Sequence, residues 1–218
     1  MRSRAWVPSE MSNGEQAEKQ TSRLEAFSDG VFAIAITLLV LELKVPVFPS
    51  GGVRPTSAAL AAGLMRQWPS YLALVTSFFS VLVMWVHHHA LFRCVRQTDA
   101  RLLFANGFLL LVVSIVPFPT AVLANYFDTP AAPAACAVYA GVFVLIGIAF
   151  YLLLLAAFRH EIVGGAPSET RLARLRRSYR LGPPLYLLAT VAAPFNRWVT
   201  MGICTALWIL WAATTREC

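Results

Sequence analysis

The sequence predicts an all-α integral membrane protein with six transmembrane helices per subunit. Three observations carry this prediction. Of the 218 residues, 58% are hydrophobic and 13% charged, against roughly 45–50% and about 25% in an ordinary soluble domain. The apolar residues gather in runs near the length of about 20 that carries a helix across a bilayer. Those runs do not alternate as barrel strands do, and an open sheet edge is excluded from lipid. No soluble domain of any size fits between them.

Each span follows from its own run. The first covers 27–45 and is ended by Pro46 and Pro49. A loop at 48–56, rich in Gly and Pro, leads to a short segment at 57–67 that reads as an amphipathic interfacial helix. The second run is 70–92. A basic loop separates it from the third, 102–123, and a turn at 125–133 precedes the fourth, 134–158. The basic, polar stretch 159–180 follows, with a helical reading for 168–179 in which Ser168 is the N-cap. The fifth run, 181–195, carries Pro183, Pro184 and Pro194. At 1.5 Å per residue it spans about two-thirds of the hydrocarbon core, so it must borrow length from its flanks. The last run, 198–214, carries Trp198, Trp208 and Trp211 as interfacial anchors. The polar tail 1–21 lacks the apolar core of a signal peptide and precedes a transmembrane domain at 22–218. Five spans are the alternative count.

Six spans place both termini on one side. Of the 18 Lys and Arg, only Lys44, Arg54, Arg66 and Arg197 then face the other side. The positive-inside rule puts both termini in the cytoplasm of a multi-pass cell-membrane protein. The net charge of +7 is thereby read as loop bias and not as a nucleic-acid surface. Glu42, Lys44 and the cluster from Arg174 to Arg177 read as interfacial anchors or lipid-headgroup contacts. The four cysteines are scattered without metal or redox spacing and receive no chemistry. No internal repeat is evident, which weighs against a transporter built from repeats.

The first span is unusual in carrying ionisable groups at its mouth: Arg23, Glu25 and Asp29. Intramembrane charge is costly and ordinarily faces a bundle interior with a partner. Arg23 and Glu25 fit that reading or a headgroup position equally. Asp29, deeper and beside Ser28, calls for a partner, and the sequence offers His88, which shares a helix face with Trp85, and Asn106. His87, His88 and His89 are adjacent, so they point in different directions, and no further ligand sits at helical spacing; metal binding is not expected. Further along, Ile34, Thr37, Leu38 and Leu41 form one stripe, with Asp29 projecting to the opposite side of the helix. That stripe reads either as a pore lining or as ordinary packing, with the Thr37 hydroxyl bonded to the carbonyl four residues back. No catalytic motif or paired carboxylate occurs in any span, so an enzyme is not expected.

Arg23, Phe27, Ser28 and Asp29 make an Arg-x-x-x-Phe-Ser-Asp motif that runs straight into Gly-Val-Phe-Ala-Ile-Ala-Ile-Thr-Leu-Leu-Val. This resembles the first helix of the endolysosomal potassium-channel family, its bacterial members most closely. The Trp85/His88 pair, Asn106 and Pro117-Phe118-Pro119-Thr120 resemble that family's second and third helices. The last three spans agree only in number and length. The resemblance implies a homotetramer whose first helices line a central pore for potassium and other monovalent cations, with no cofactor and no bound metal. It implies apolar constrictions at Ile34 and Leu41, Leu38 near them, and Thr37 as a hydroxyl layer. It assigns Arg23, Phe27, Ser28, Asp29, Trp85, His88 and Asn106 to a structural tie among the first three helices. The sequence has no TVGYG-like filter, as in that family, and departs from it in carrying Ile, not Leu, at position 34, which bears on gate width. A proton channel or proton-coupled transporter using Asp29 and His88 is the alternative. A non-conducting scaffold docking through the basic stretch 159–180 is a third reading.

Overall fold

The computed structural model describes residues 13–48, 56–95, 98–158 and 169–214. Regular structure among them is helical throughout. Helix α1 spans Asn13–Leu38 and tightens into a 3-10 turn at Leu39–Glu42. The short α2, Ser57–Arg66, precedes α3, Trp68–Phe92. Helices α4, Ala100–Ile115, and α5, Pro117–Tyr126, are followed by α6, Ala132–Ala157, α7, Glu169–Ala192, and α8, Arg197–Thr214. Among the described residues, four stretches are long and apolar enough to cross a membrane: Lys19–Glu42, Trp68–Phe92, Ala100–Tyr126 and Ala132–Ala157.

Several boundaries differ from those read from hydropathy, each for a physical reason. Helix α1 starts at Asn13, inside the stretch expected as a tail. Polar residues such as Glu, Gln and Lys are good helix formers, and hydropathy does not register them. The third span is not one helix. Pro117 lacks the N–H that would continue the ladder, so the chain closes α4 with a tighter bond from Val116 N–H to Val113 C=O, 3.1 Å, and restarts. Helix α7 runs 24 residues, merging the basic segment with the short fifth run and holding Pro183 and Pro184 inside it. Its length is about 36 Å at 1.5 Å per residue, so the missing reach comes from the arginine-rich side. The segment 49–55, the stretch 159–168 and the expected N-cap at Ser168 lie outside the described residues.

Helix starts follow ordinary capping chemistry. Thr56 caps α2, its hydroxyl accepting from Ala59 N–H, and Asp99 caps α4, its carboxylate accepting from Leu102 N–H at 2.8 Å. Each satisfies a donor that the first turn cannot pair internally.

In the bundle α1 lies on α3 and α4, α3 on α5 and α8, and α6 on α4 and α7. The core is a seam of Phe32, Leu39, Val81, Leu109, Val113, Phe143 and Leu153, all buried. A polar knot sits within it: the Ser77 hydroxyl bonds Thr120 (2.8 Å) and Tyr139 (3.1 Å), joining α3, α5 and α6. In an apolar interior such groups must satisfy one another, and these do. At the end of the bundle where α8 begins, Arg197 donates to Phe127 C=O at 2.6 Å, pairs with Asp128 at 3.3 Å and lies over the Phe127 and Trp198 rings. Trp198 in turn stacks on Trp68. The other two tryptophans of α8 also meet ring partners on a neighbouring helix. Trp208 stacks on Phe79 of α3, and Trp211 meets His87 edge-on, because α8 packs into the bundle.

The α6–α7 crossing depends on the absence of side chains. A Cβ on Gly147 would stand 3.1 Å from both the Cδ and the backbone N of Pro183, and Gly182 approaches from the other side. Small residues allow such backbone contact, a principal source of helix association in lipid. Gly147→Leu is expected to push α7 away and cost about 1–3 kcal/mol, as overpacking does. A thermal-shift series in detergent should show the loss, while Gly141→Ala, whose Cβ meets nothing within 4 Å, should leave the melting temperature unchanged.

Candidate functional site

Helix α1 presents two unlike faces. Ser28, Phe32, Ala35 and Leu39 recur at three- and four-residue spacing and are buried against α3, α4 and α5. Ile34 (60% exposed), Leu38 (40%) and Leu41 (67%) lie on the outside of the subunit, with Thr37 also exposed. The 100° step of the helix dictates this split.

A directional chain of hydrogen bonds holds the inner face. His88 of α3 bonds through Nε2 to the Asn106 Oδ1 of α4 at 2.9 Å. The Asn106 Nδ2 donates to Ser28 Oγ at 2.9 Å, and the Ser28 hydroxyl donates to Leu24 C=O at 2.8 Å. Because the Asn106 oxygen can only accept, His88 carries its proton on Nε2. Its Nδ1 is buried without a hydrogen-bond partner. The ring is clamped between Phe92, stacked at 4.3 Å, and Phe32, tilted at 5.3 Å. Ser28, His88 and Asn106 are all essentially inaccessible.

A second bond flanks the first. The Trp85 indole N–H donates to Asp29 Oδ1 at 2.8 Å, giving the carboxylate a strong, charge-assisted partner. One turn on, His89 Nδ1 lies 2.7 Å from Glu25 Oε1 while its ring stacks on Trp85. Glu25 is thus paired to α3. Nearer the helix start, the Thr98 hydroxyl donates to Gln20 Oε1 at 3.3 Å, linking α1 to the segment before α4.

The three adjacent histidines serve four neighbouring helices. His87 bonds Trp211 C=O (3.0 Å) and the Tyr179 hydroxyl (3.2 Å), His88 bonds Asn106, and His89 bonds Glu25. Their rings diverge, and no group of three or more metal-ligating side chains occurs among the described residues.

The structure thus joins Ser28, Asp29, Trp85, His88 and Asn106 in one cluster. Arg23 and Phe27 stand apart from it: both are exposed, Phe27 by 65%. Phe27 precedes Ile34 by seven residues, two full turns, so it extends the outer stripe and cannot reach α3 or α4. That spacing was the available signal. The expectation for Thr37 also shifts by one residue, since its hydroxyl donates to Ile34 C=O at 2.9 Å, three residues back. The Glu25–His89 pair was not foreseen, and only their shared closeness to Trp85 hinted at it.

A family model described as the endosomal/lysosomal potassium channel TMEM175 matches residues 23–117, which contain this whole cluster. A potassium channel from Chamaesiphon minutus is 45% identical over 196 residues, covering 89% of this chain and 95% of its own. The crystal structure of a lysosomal potassium-selective channel TMEM175 homolog from that organism superposes with a TM-score of 0.77 over 90% of this chain and 98% of that one, at 45% identity. The endosomal/lysosomal proton channel TMEM175 of Danio rerio is 39% identical over 97 residues, 44% of this chain and 19% of its own length. These relatives are ion channels and not enzymes. With its similarity to the bacterial relative running along nearly the whole of both chains, the protein belongs to the TMEM175 family and groups with its bacterial single-repeat members.

Proposed function

We propose that this chain is a potassium-permeable cation channel of the cell membrane, a homotetramer in which four copies of α1 line a central pore. Each subunit crosses six times: four spans are the apolar stretches described above, and α7 and α8 supply the other two. Both termini face the cytoplasm, where the basic loops gather. Residues 1–21 lead into a transmembrane domain at 22–218, and the permeant ion is potassium or another monovalent cation, with no cofactor.

The observation that carries this reading is the position of α1. Only 22% of its span is buried within the subunit, against 39–44% for the other three. Yet polar bonds to α3 and α4 fix α1 in rotation. A helix that is both peripheral and fixed presents the same face in every copy, which suits a symmetric ring. That the bacterial relatives are named potassium channels supports the same conclusion.

On that face Ile34, Leu38 and Leu41 form apolar constrictions, with Ile34 the tightest. Branched aliphatic rings narrow enough to exclude water gate by dewetting. Thr37 supplies a hydroxyl layer between them. Its proton is committed to Ile34 C=O, so the oxygen lone pairs are left to face a cation. Ser28, Asp29, Trp85, His88 and Asn106 hold α1 in register, while Arg23 and Phe27 lie on the outer stripe, toward neighbouring copies.

The second reading, a proton channel using Asp29 and His88, draws on the name of the vertebrate relative and on the placement of both groups in one buried cluster. Liposomes loaded with the purified protein separate the two. Potassium flux that persists with proton flux blocked supports the channel proposed here, and proton flux without potassium flux supports the other.

Two variants test the assignments. Ile34→Asn or Ile34→Ala is expected to raise resting potassium flux several-fold in that assay; unchanged leak from an intact assembly would remove Ile34 as the gate. Asp29→Ala strands the Trp85 N–H and forfeits a bond to a charged acceptor worth about 1.5–3 kcal/mol. Size-exclusion chromatography is expected to show less assembled protein, with the potassium-to-sodium ratio of the remainder unchanged. A well-assembled channel with altered ion preference would reverse that role.

A further inference from the structure

A recess of about 950 Å³ opens between the start of α4, the end of α6 and the middle of α7, with no residue of α1 in its lining. Phe104 and Phe108, one turn apart on α4, form one wall, and Leu152 and Leu155 of α6 form the other. All four are exposed, Phe104 by 80%. Each pair follows helical spacing, so the walls run along the helix axes as a slot and not a bowl. At its head stand Arg101, one turn before Phe104, and Arg180, where α7 passes from its basic segment to its apolar run.

Neither guanidinium is neutralised among the described residues, where no ion pair involves Arg101 or Arg180. Asp99, the carboxylate nearest Arg101 along the chain, accepts from the backbone N–H of Leu102. Two guanidiniums with no ion pair among the described residues, set above an apolar slot at the edge of a membrane span, match one kind of molecule: negative at one end, hydrocarbon at the other. A guanidinium fork suits phosphate oxygens in particular, and basic pockets between helices at the membrane surface hold lipid headgroups.

We propose that this recess binds an anionic phospholipid of the adjacent leaflet, its phosphate on Arg101 and Arg180 and an acyl chain between the Phe104–Phe108 and Leu152–Leu155 walls. The site is separate from the face of α1 assigned to the pore, so it does not depend on what that pore conducts.

Native mass spectrometry of the full chain in detergent, supplied with phosphatidylglycerol or phosphatidylcholine, tests this. The unaltered protein is expected to retain phosphatidylglycerol about tenfold more than phosphatidylcholine, within what two arginines near the surface provide. The double variant Arg101→Gln/Arg180→Gln is expected to lose that preference. Arg93→Gln, an exposed arginine outside the recess, is expected to keep it. Leu152→Trp fills the slot with both charges in place and is expected to lower phosphatidylglycerol retention, so the proposal stays testable if the double variant does not fold. Equal retention of the two lipids by the unaltered chain overturns it, as does an unchanged preference in the double variant or unchanged retention in Leu152→Trp. A Phe104→Cys protein that forms a disulfide between copies in the membrane also overturns it, since a second copy and not lipid would then cover the slot.

Discussion

Within hydrocarbon, a hydrogen bond between side chains has no water to compete for its donor or its acceptor. The chain from His88 through Asn106 and Ser28 to the Leu24 carbonyl exploits that condition, since Asn106 and Ser28 each both give and receive. Reversing the Asn106 amide would set its oxygen against the Ser28 oxygen, whose proton is already given to the Leu24 carbonyl, so the orientation is fixed from that end. The rotation of α1 follows from that fixed orientation. With Ser28 turned inward, Ile34 and Leu41 have no choice but to lie outside.

Helix α3 is the hub from which this order spreads. One turn of it reaches four elements through three consecutive histidines, and its Ser77 ties α5 and α6 a few turns away. Elsewhere the bundle uses shape in place of polarity. Gly147 admits the Pro183 backbone, and aromatic rings at Phe79, Trp208, Phe143 and Tyr186 stack across the helix contacts. The division is sensible in lipid, where burying one more apolar side chain gains little and specific contact must supply the difference.

The elements most legible in the sequence were those whose signal is apolar. The runs at α3 and α6 mark their helices to within about two residues, a usual margin for helix ends. The polar start of α1 was not legible, because lysine, glutamate and glutamine in a helix look the same to hydropathy as in a loop; the polar start of α7 was read as helical over 168–179, but its continuity with the short apolar run across Pro183 and Pro184 was not. In the site, the opposition of Asp29 to the Ile34–Leu41 stripe could be read directly from the helical repeat. The partners of Asp29 and Ser28 could be named from Trp85, His88 and Asn106, but their pairing could not. Which donor meets which acceptor depends on how α3 and α4 are offset along their axes, and no single helix encodes that offset. Phe27 was grouped with the cluster through its place in a motif, whereas its two-turn distance from Ile34 put it on the outer face.

The Gln20–Thr98 contact and the cluster at Asp29 touch the same rigid helix at two heights. At 1.5 Å per residue they are about 14 Å apart, with Ile34 about 8 Å beyond Asp29 on the other side. A stiff rod pinned part-way along its length is a lever, and the cluster is its fulcrum. A small sideways displacement of the segment before α4 therefore reaches Ile34 reversed in direction and reduced by about half, with no hinge needed inside α1.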